Sequence, residues 1–271
     1  MRSTHRHLDT DQPLKGLKLV VCGYELEQRE HRGIAVFSKG LLRSLKQAGA
    51  EVWLLSEVAP PMQDMLTRAW LPQAVRRTVF TARLLDQLNS GEYRFRVHSA
   101  LKFWLLNLPR LGRLLKWIDQ IRPENQSLFP RRRISASQLT QIPANQLLNS
   151  PYQLCERLAY LRDIDGVVCA RNCFRDSFSL ARKRAAKTLQ IDLNGFDGFI
   201  TTSPLNFQPL NTPIFLQTVH DLIPLEYGRT LDHLPSFSRR LIATISARRI
   251  YVSKDAEQKF NAGLLLAGNN A

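Results

Sequence analysis

The chain is short of cysteine, of acidic residues and of long apolar runs, and each shortage excludes something. Four cysteines in 271 residues do not make a disulfide scaffold. Cys22 sits in an apolar run that reads as a buried strand, and Cys155 lies far from Cys169 and Cys173. That last pair has the wrong spacing for a C-x-x-C site, and no second pair or nearby histidine completes a tetrahedral ligand set. No metal and no cofactor is expected, and the cysteines read as reduced structural residues of a cytoplasmic protein. Residues 1–16 form a polar leader without the apolar core of a signal peptide. The longest uncharged stretches, Ile134–Cys155 and Gly198–Val219, are broken by proline and rich in amides and hydroxyls, so neither reads as a spanning helix. The expectation is a soluble protein, or one peripheral to the inner face of a membrane.

Acidic residues number 23 against 38 Lys+Arg, a formal charge of +15, and 28 of the basic residues are arginine. This balance points to an anionic partner: nucleic acid, anionic lipid or a phosphorylated substrate. Nucleic acid has the least support, because there is no helix-turn-helix signature, no zinc knuckle and no strand with the aromatic interleaving of an RNA-binding sheet. The length suits one large domain or two small ones, 44% apolar residues supply a core, and 23% charged residues exclude global disorder.

What is present begins with Leu17–Gly23, a continuous apolar run of the kind that forms a strand buried on both faces. After a polar loop from Tyr24 to Arg32, Phe37, Leu41, Leu45 and Ala48 fall on one helical face, and Gly49 ends that helix. Glu51–Leu55 then reads as a second buried strand. Strand, glycine-bearing loop, helix and strand make a βαβ unit, the opening of an α/β fold with a parallel sheet flanked by helices. Residues 57–165 read as a mostly helical basic insertion, with helices over Asp64–Leu88 and Leu101–Ile121 and no convincing strand. The alternation resumes with a strand at Gly166–Cys169, a basic helix over Ser177–Leu189, strands at Phe196–Ser203 and Pro213–Val219, an amphipathic helix over Ser236–Ala247, and a short strand at Arg249–Ser253.

Three features carry chemistry. The loop into the first helix, with Gly33, Ile34 and Ala35, has backbone N–H groups suited to a diphosphate. The other reading is a glycine needed only for helix–sheet packing. No dinucleotide or Walker motif is present. Second, His220 and Asp221 follow a strand at the edge where open α/β sheets bind ligands. The histidine suits a sugar hydroxyl or phosphate oxygen, while the bland reading is a pair that caps the next turn. Third, Arg94–Lys116 holds six basic residues and no acidic one. There Arg94, Arg96, Lys102, Arg110, Arg113 and Lys116 beside Trp104 suit an anionic membrane surface. The competing reading is an internal helical pair with its arginines in water. The run Arg131-Arg132-Arg133 reads as a solvated loop or a phosphate contact.

Arg32–Phe37 leading into Ser38–Leu45, Thr218–Leu225 (containing His-Asp-Leu-Ile-Pro) and Arg249–Asp255 occur in an order that resembles the N-terminal half of family-four glycosyltransferases of the GT-B fold. The His-Asp-Leu-Ile-Pro segment is the specific match. The resemblance implies a Rossmann-like, acceptor-binding half, spanning residues 17–253, of a retaining enzyme that uses a nucleotide-sugar donor and no metal. By the same resemblance Gly33, Ile34 and Ala35 face the donor phosphate or sugar, and His220 with Asp221 act on the transferred sugar or the acceptor, a glycan or lipid-linked molecule. Two departures are visible: Ala35 stands where the family often has a second glycine, and no glutamate pair eight positions apart follows. Residues 254–271 are therefore expected to be a truncated tail without the donor domain, so that turnover needs a donor-binding partner. A non-catalytic module docking on membrane or carbohydrate is the alternative expectation.

Overall fold

The computed structural model describes residues 12–58, 72–90, 130–149, 155–182, 188–223 and 234–268. Strand β1 (Lys18–Cys22) and strand β2 (Glu51–Ser56) pair in parallel, with helix α1 (Gly33–Gln47) crossing between them. At the end of α1, Gly49 has φ of 90° and its N–H reaches the Lys46 carbonyl, while the Ala50 N–H reaches that of Leu45. These two bonds make a Schellman end, whose left-handed residue is best filled by glycine. The last of the polar leader folds back here, with the Leu14 N–H bonded to the Ala48 carbonyl at 2.9 Å.

Helix α2 (Gln73–Ser90) follows, then the short strands β3 (Arg133–Ile134) and β4 (Thr140–Pro143), helix α3 (Ala144–Leu148) and a 3-10 segment over Glu156–Asp163. The second half contains β5 (Gly166–Cys169), α4 (Cys173–Arg182), β6 (Leu189–Asp192), β7 (Gly198–Thr201), β8 (Phe207–Leu210) and β9 (Ile214–Val219). It closes with α5 (Leu234–Ala243), β10 (Arg248–Tyr251) and α6 (Lys254–Gly268). Seven strands form a mostly parallel sheet in the order β10-β9-β7-β1-β2-β5-β4, with β4 antiparallel at one edge. A second, parallel sheet has the order β3-β6-β8.

The apolar runs are continuous because both faces of the large sheet are covered. Leu19, Val21, Val52, Leu54 and Val167 pack toward α1, α2, α3 and the 3-10 segment. Their alternates Val20, Cys22, Leu55, Val168 and Phe199 pack with α4 and with Ile134, Ile191 and Phe207 of the small sheet. Cys22, Cys169 and Cys173 are buried free thiols, whereas Cys155 is exposed.

The α/β expectation holds, with corrections. Residues 57–165 are not strand-free, since β3 and β4 both lie there. Each presents one buried side chain, Ile134 or Ile142, too little to create a visible period. Helix α4 starts earlier than its basic run suggested, and Leu189 opens a strand instead of closing that helix. The Leu101–Ile121 helix lies outside the described residues. No helix among the described residues is long and apolar enough to cross a membrane.

Gly23, at the end of β1, is held by close approach: an added Cβ would lie 2.6 Å from the Leu55 carbonyl oxygen and 3.0 Å from the Leu54 side chain. Gly23→Ala is expected to destabilise the protein by about 1–3 kcal/mol through this overpacking. Urea unfolding of the variant checks it.

Candidate functional site

The chain leaves β1 toward β2 and β5, then returns on the other flank of β1 as β7, so the strand order reverses between β1 and β7. Loops diverge at such a point and leave a crevice above the carboxyl ends of the strands, the usual ligand position in open α/β sheets. Here the residues after β1, β7 and β9 converge. The Thr202 hydroxyl donates to Glu25 Oε2 at 2.7 Å, and the Ser203 hydroxyl donates to Glu25 Oε1. All three residues are buried. The Thr202 carbonyl accepts a hydrogen bond from His220 Nε2 at 2.8 Å. A carbonyl only accepts, so Nε2 carries a proton, and the tautomer this bond selects has its lone pair on Nδ1. Among the described residues Nδ1 has no partner. Phe37 of α1 meets the imidazole edge-to-face at 4.9 Å and fixes its plane.

Phe37 lies one turn from the start of α1, where Arg32 is the N-cap residue and gives no side-chain cap. The first turn-closing bond joins the Val36 N–H to the Arg32 carbonyl, leaving the amides of Gly33, Ile34 and Ala35 without helical acceptors. Gly33 is exposed, while the Ala35 methyl is in the core. An added Cβ on Gly33 meets nothing within 4 Å, and its φ is not in the left-handed region. Packing therefore does not account for this glycine. The small residue leaves the approach to the amides open.

The loop between β1 and α1 is pinned from beneath. Arg157 donates to the carbonyls of Arg29 (2.7 Å), Leu88 (3.0 Å) and Gln28, tying the loop to α2. His31 Nε2 donates to the Leu26 carbonyl at 2.9 Å, and burial pushes the pKa of this ring down. Glu27 is buried and its Oε1 accepts the Glu57 N–H at 3.0 Å. Burial first, and the Glu57 charge second, raise the Glu27 carboxyl well above the usual range, against hydrogen bonds from Ser56 and the Glu57 N–H. The folded protein thus holds this proton more tightly than the unfolded chain. The associated stability is full below the unfolded carboxylate range and is lost as pH rises through the folded value. Glu27→Gln is expected to stabilise the protein by about 1–2 kcal/mol above neutral pH, where a buried charge is no longer required. The gain shrinks toward pH 5, as a series of thermal melts will show.

The fold brings Gly33, Ile34 and Ala35 onto the same helix end as Phe37, and Phe37 against His220. Asp221 is exposed, and its Oδ1 accepts the Ile223 N–H at 3.2 Å, the turn-capping arrangement. Arg94, Arg96, Lys102, Trp104, Arg110, Arg113 and Lys116 lie outside the described residues. Arg131, expected in a solvated loop, instead pairs with buried Asp176 at 2.8 Å, while Arg132 and Arg133 are exposed. Glu25 carries only a faint signal in the sequence: it lies three residues beyond a buried strand, and its partners sit in the hydroxyl run Thr201-Thr202-Ser203. A groove of about 380 Å³ between α2 and α3, lined by Arg77, Thr78, Thr81 and Asn145 among others, gathers no acid–base pair. Among the described residues, no three His, Cys, Asp or Glu side chains are placed to hold a metal ion.

The chain matches no family model, no curated protein and no solved structure, and what it shows is a Rossmann-like α/β architecture.

Proposed function

We propose that the chain forms the acceptor-binding half of a retaining glycosyltransferase that uses a nucleotide sugar. Its acceptor, a glycan or lipid-linked sugar, binds over the carboxyl ends of β1, β7 and β9. The observation that carries this reading is His220: Nε2 is committed to the Thr202 carbonyl, so Nδ1, without a partner among the described residues, is an acceptor for a sugar hydroxyl. The likeness of Thr218–Leu225 to the family-four segment supports the same assignment.

In this reading Glu25 holds the Thr202–Ser203 turn, the turn orients His220, and His220 orients the acceptor hydroxyl. Orientation of that hydroxyl supplies much of the rate enhancement. The open amides of Gly33, Ile34 and Ala35 stabilise charge developing on the departing nucleoside diphosphate. The donor nucleotide is held by a second α/β unit facing the same edge. Asp221 shapes the loop after His220.

A glycan array probed with the wild-type protein and with His220→Gln tests the reading. Binding restricted to a few glycans, and weakened at least tenfold in the variant, is expected for the loss of one good hydrogen bond. Equal binding by both proteins, or none by the wild type, contradicts it. Gly33→Ala separates site from scaffold. Its stability is expected to be unchanged or up to about 1 kcal/mol higher, because alanine has less unfolded-state entropy to lose. With a donor-binding unit supplied, sugar transfer from UDP- or GDP-sugars is expected to fall, and full transfer would remove the α1 amides from the mechanism.

A further inference from the structure

The corner where β5 runs into α4 brings the guanidinium groups of Arg131 and Arg175 onto one carboxylate, Asp176, with Arg171 bonded to Arg131 through its carbonyl. Arg131 precedes β3, whereas Arg171 and Arg175 flank the start of α4. Arg131 Nε donates to Asp176 Oδ2 at 2.8 Å, and its Nη2 donates to the Arg171 carbonyl. Arg175 Nη2 reaches Asp176 Oδ1 only at 3.9 Å. Asp176 is 2% exposed and lies behind the cluster. The nearby Glu57 carboxylate takes the Arg175 backbone N–H at 3.2 Å. Among the described residues the Arg171 side chain has no carboxylate partner. It is half-buried, and burial first, then the charges of Arg131 and Arg175, push its pKa down.

Like charges drawn together and partly desolvated repel, and a bound anion relieves that repulsion. Arginine forks match phosphate oxygens in pairs, so three of them around one corner favour phosphate over a monovalent ion. The corner is also on the carboxyl edge of the large sheet, at the end of β5, the side on which such sheets take ligands.

We infer that Arg131, Arg171 and Arg175 form a binding site for a phosphate or diphosphate group at the β5–α4 corner. Arg131, locked to Asp176, is the fixed member, and Arg171 and Arg175 close on the ligand. The site is two strands from β1 in the sheet order and stands independently of the glycosyl-transfer reading.

The test is calorimetry at low ionic strength with inorganic pyrophosphate as probe, on wild type, Arg171→Ala, Arg175→Ala and the exposed control Arg132→Ala. The wild type and the control are expected to bind equally, and the other two at least tenfold more weakly. Without pyrophosphate, Arg171→Ala is expected to melt at or above the wild-type temperature, since it removes a repelled charge. That result also shows that the variant folds. Sedimentation with vesicles containing phosphatidic acid, against phosphatidylcholine alone, identifies the source. Pelleting that depends on Arg171 marks a lipid headgroup, and pyrophosphate binding without pelleting marks a soluble ligand. Arg171→Ala and Arg175→Ala that bind within twofold of wild type, or wild type that takes neither probe, overturn the inference.

Discussion

Replacing Glu25 with alanine is expected to cost about 3 kcal/mol, because it leaves two buried hydroxyl donors without their acceptor and opens a small void. Thr202 and Ser203 both donate to this carboxylate, and they are joined to it across 177 and 178 residues of sequence. The bond therefore ties the end of β7 to the end of β1, at the place where the strand order reverses. Loss of the tie also frees the Thr202 carbonyl that holds His220. Denaturant unfolding measures the first effect, and amide exchange at Thr202 and Ser203 the second. Glu25→Gln, which keeps one carbonyl oxygen, is expected to lose about 1 kcal/mol and to retain most of the turn. If alanine and glutamine variants unfold alike and near the wild type, the carboxylate is not the anchor of the site.

Arg131→Ala is expected to be comparably damaging, at about 3 kcal/mol, since it strands the carboxylate of Asp176 in the interior. The side chains of this pair are 12% and 3% exposed, so solvent does little to screen the loss. Burial already raises the Asp176 carboxyl, with Arg131 acting in the opposite direction. Without Arg131 the folded-state value rises further, so the variant favours the protonated acid. The penalty is therefore largest at neutral and alkaline pH and diminishes as pH falls through the Asp176 value. Unfolding at pH 8 and pH 5 distinguishes this from a simple packing defect, which gives the same loss at both. Arg131→Lys is expected to rescue only partly. One ammonium cannot reproduce the fork that serves Asp176 Oδ2 and the Arg171 carbonyl together.

The legible parts of the fold are those whose burial is written continuously in the chain. Strands β1 and β2 are covered on both faces, so Leu19–Cys22 and Val52–Leu55 are apolar without interruption. Helix α1 is announced by its spacing and ended by Gly49, but the face it buries is Ala35, Ser38 and Leu42, with Leu41 and Leu45 half-buried beside them and Phe37 set against His220. Strands β3 and β4 were illegible because each contributes a single inward residue. The small sheet was illegible as well, since β3, β6 and β8 come from three separate stretches that meet only in the fold, paired strand to strand and packed over Phe199 and Val20. The candidate site divides in the same way. His220 was visible from its place at a strand end, and Gly33 from its place at a helix start. Glu25 looked like one more polar loop residue. Asp221 carried two readings, a group acting beside His220 and a cap on the next turn, and its bond to the Ile223 N–H is the capping one. Arg131 looked solvated because its partner, Asp176, is 45 residues away.

The most direct measurement is long-range 1H–15N NMR of the His220 imidazole, titrated with the glycans that the array selects. The account predicts that Nδ1 shifts on saturation as it accepts a sugar hydroxyl, while Nε2 keeps its proton and its bond to the Thr202 carbonyl. Two unmoved ring nitrogens at saturating glycan would contradict it.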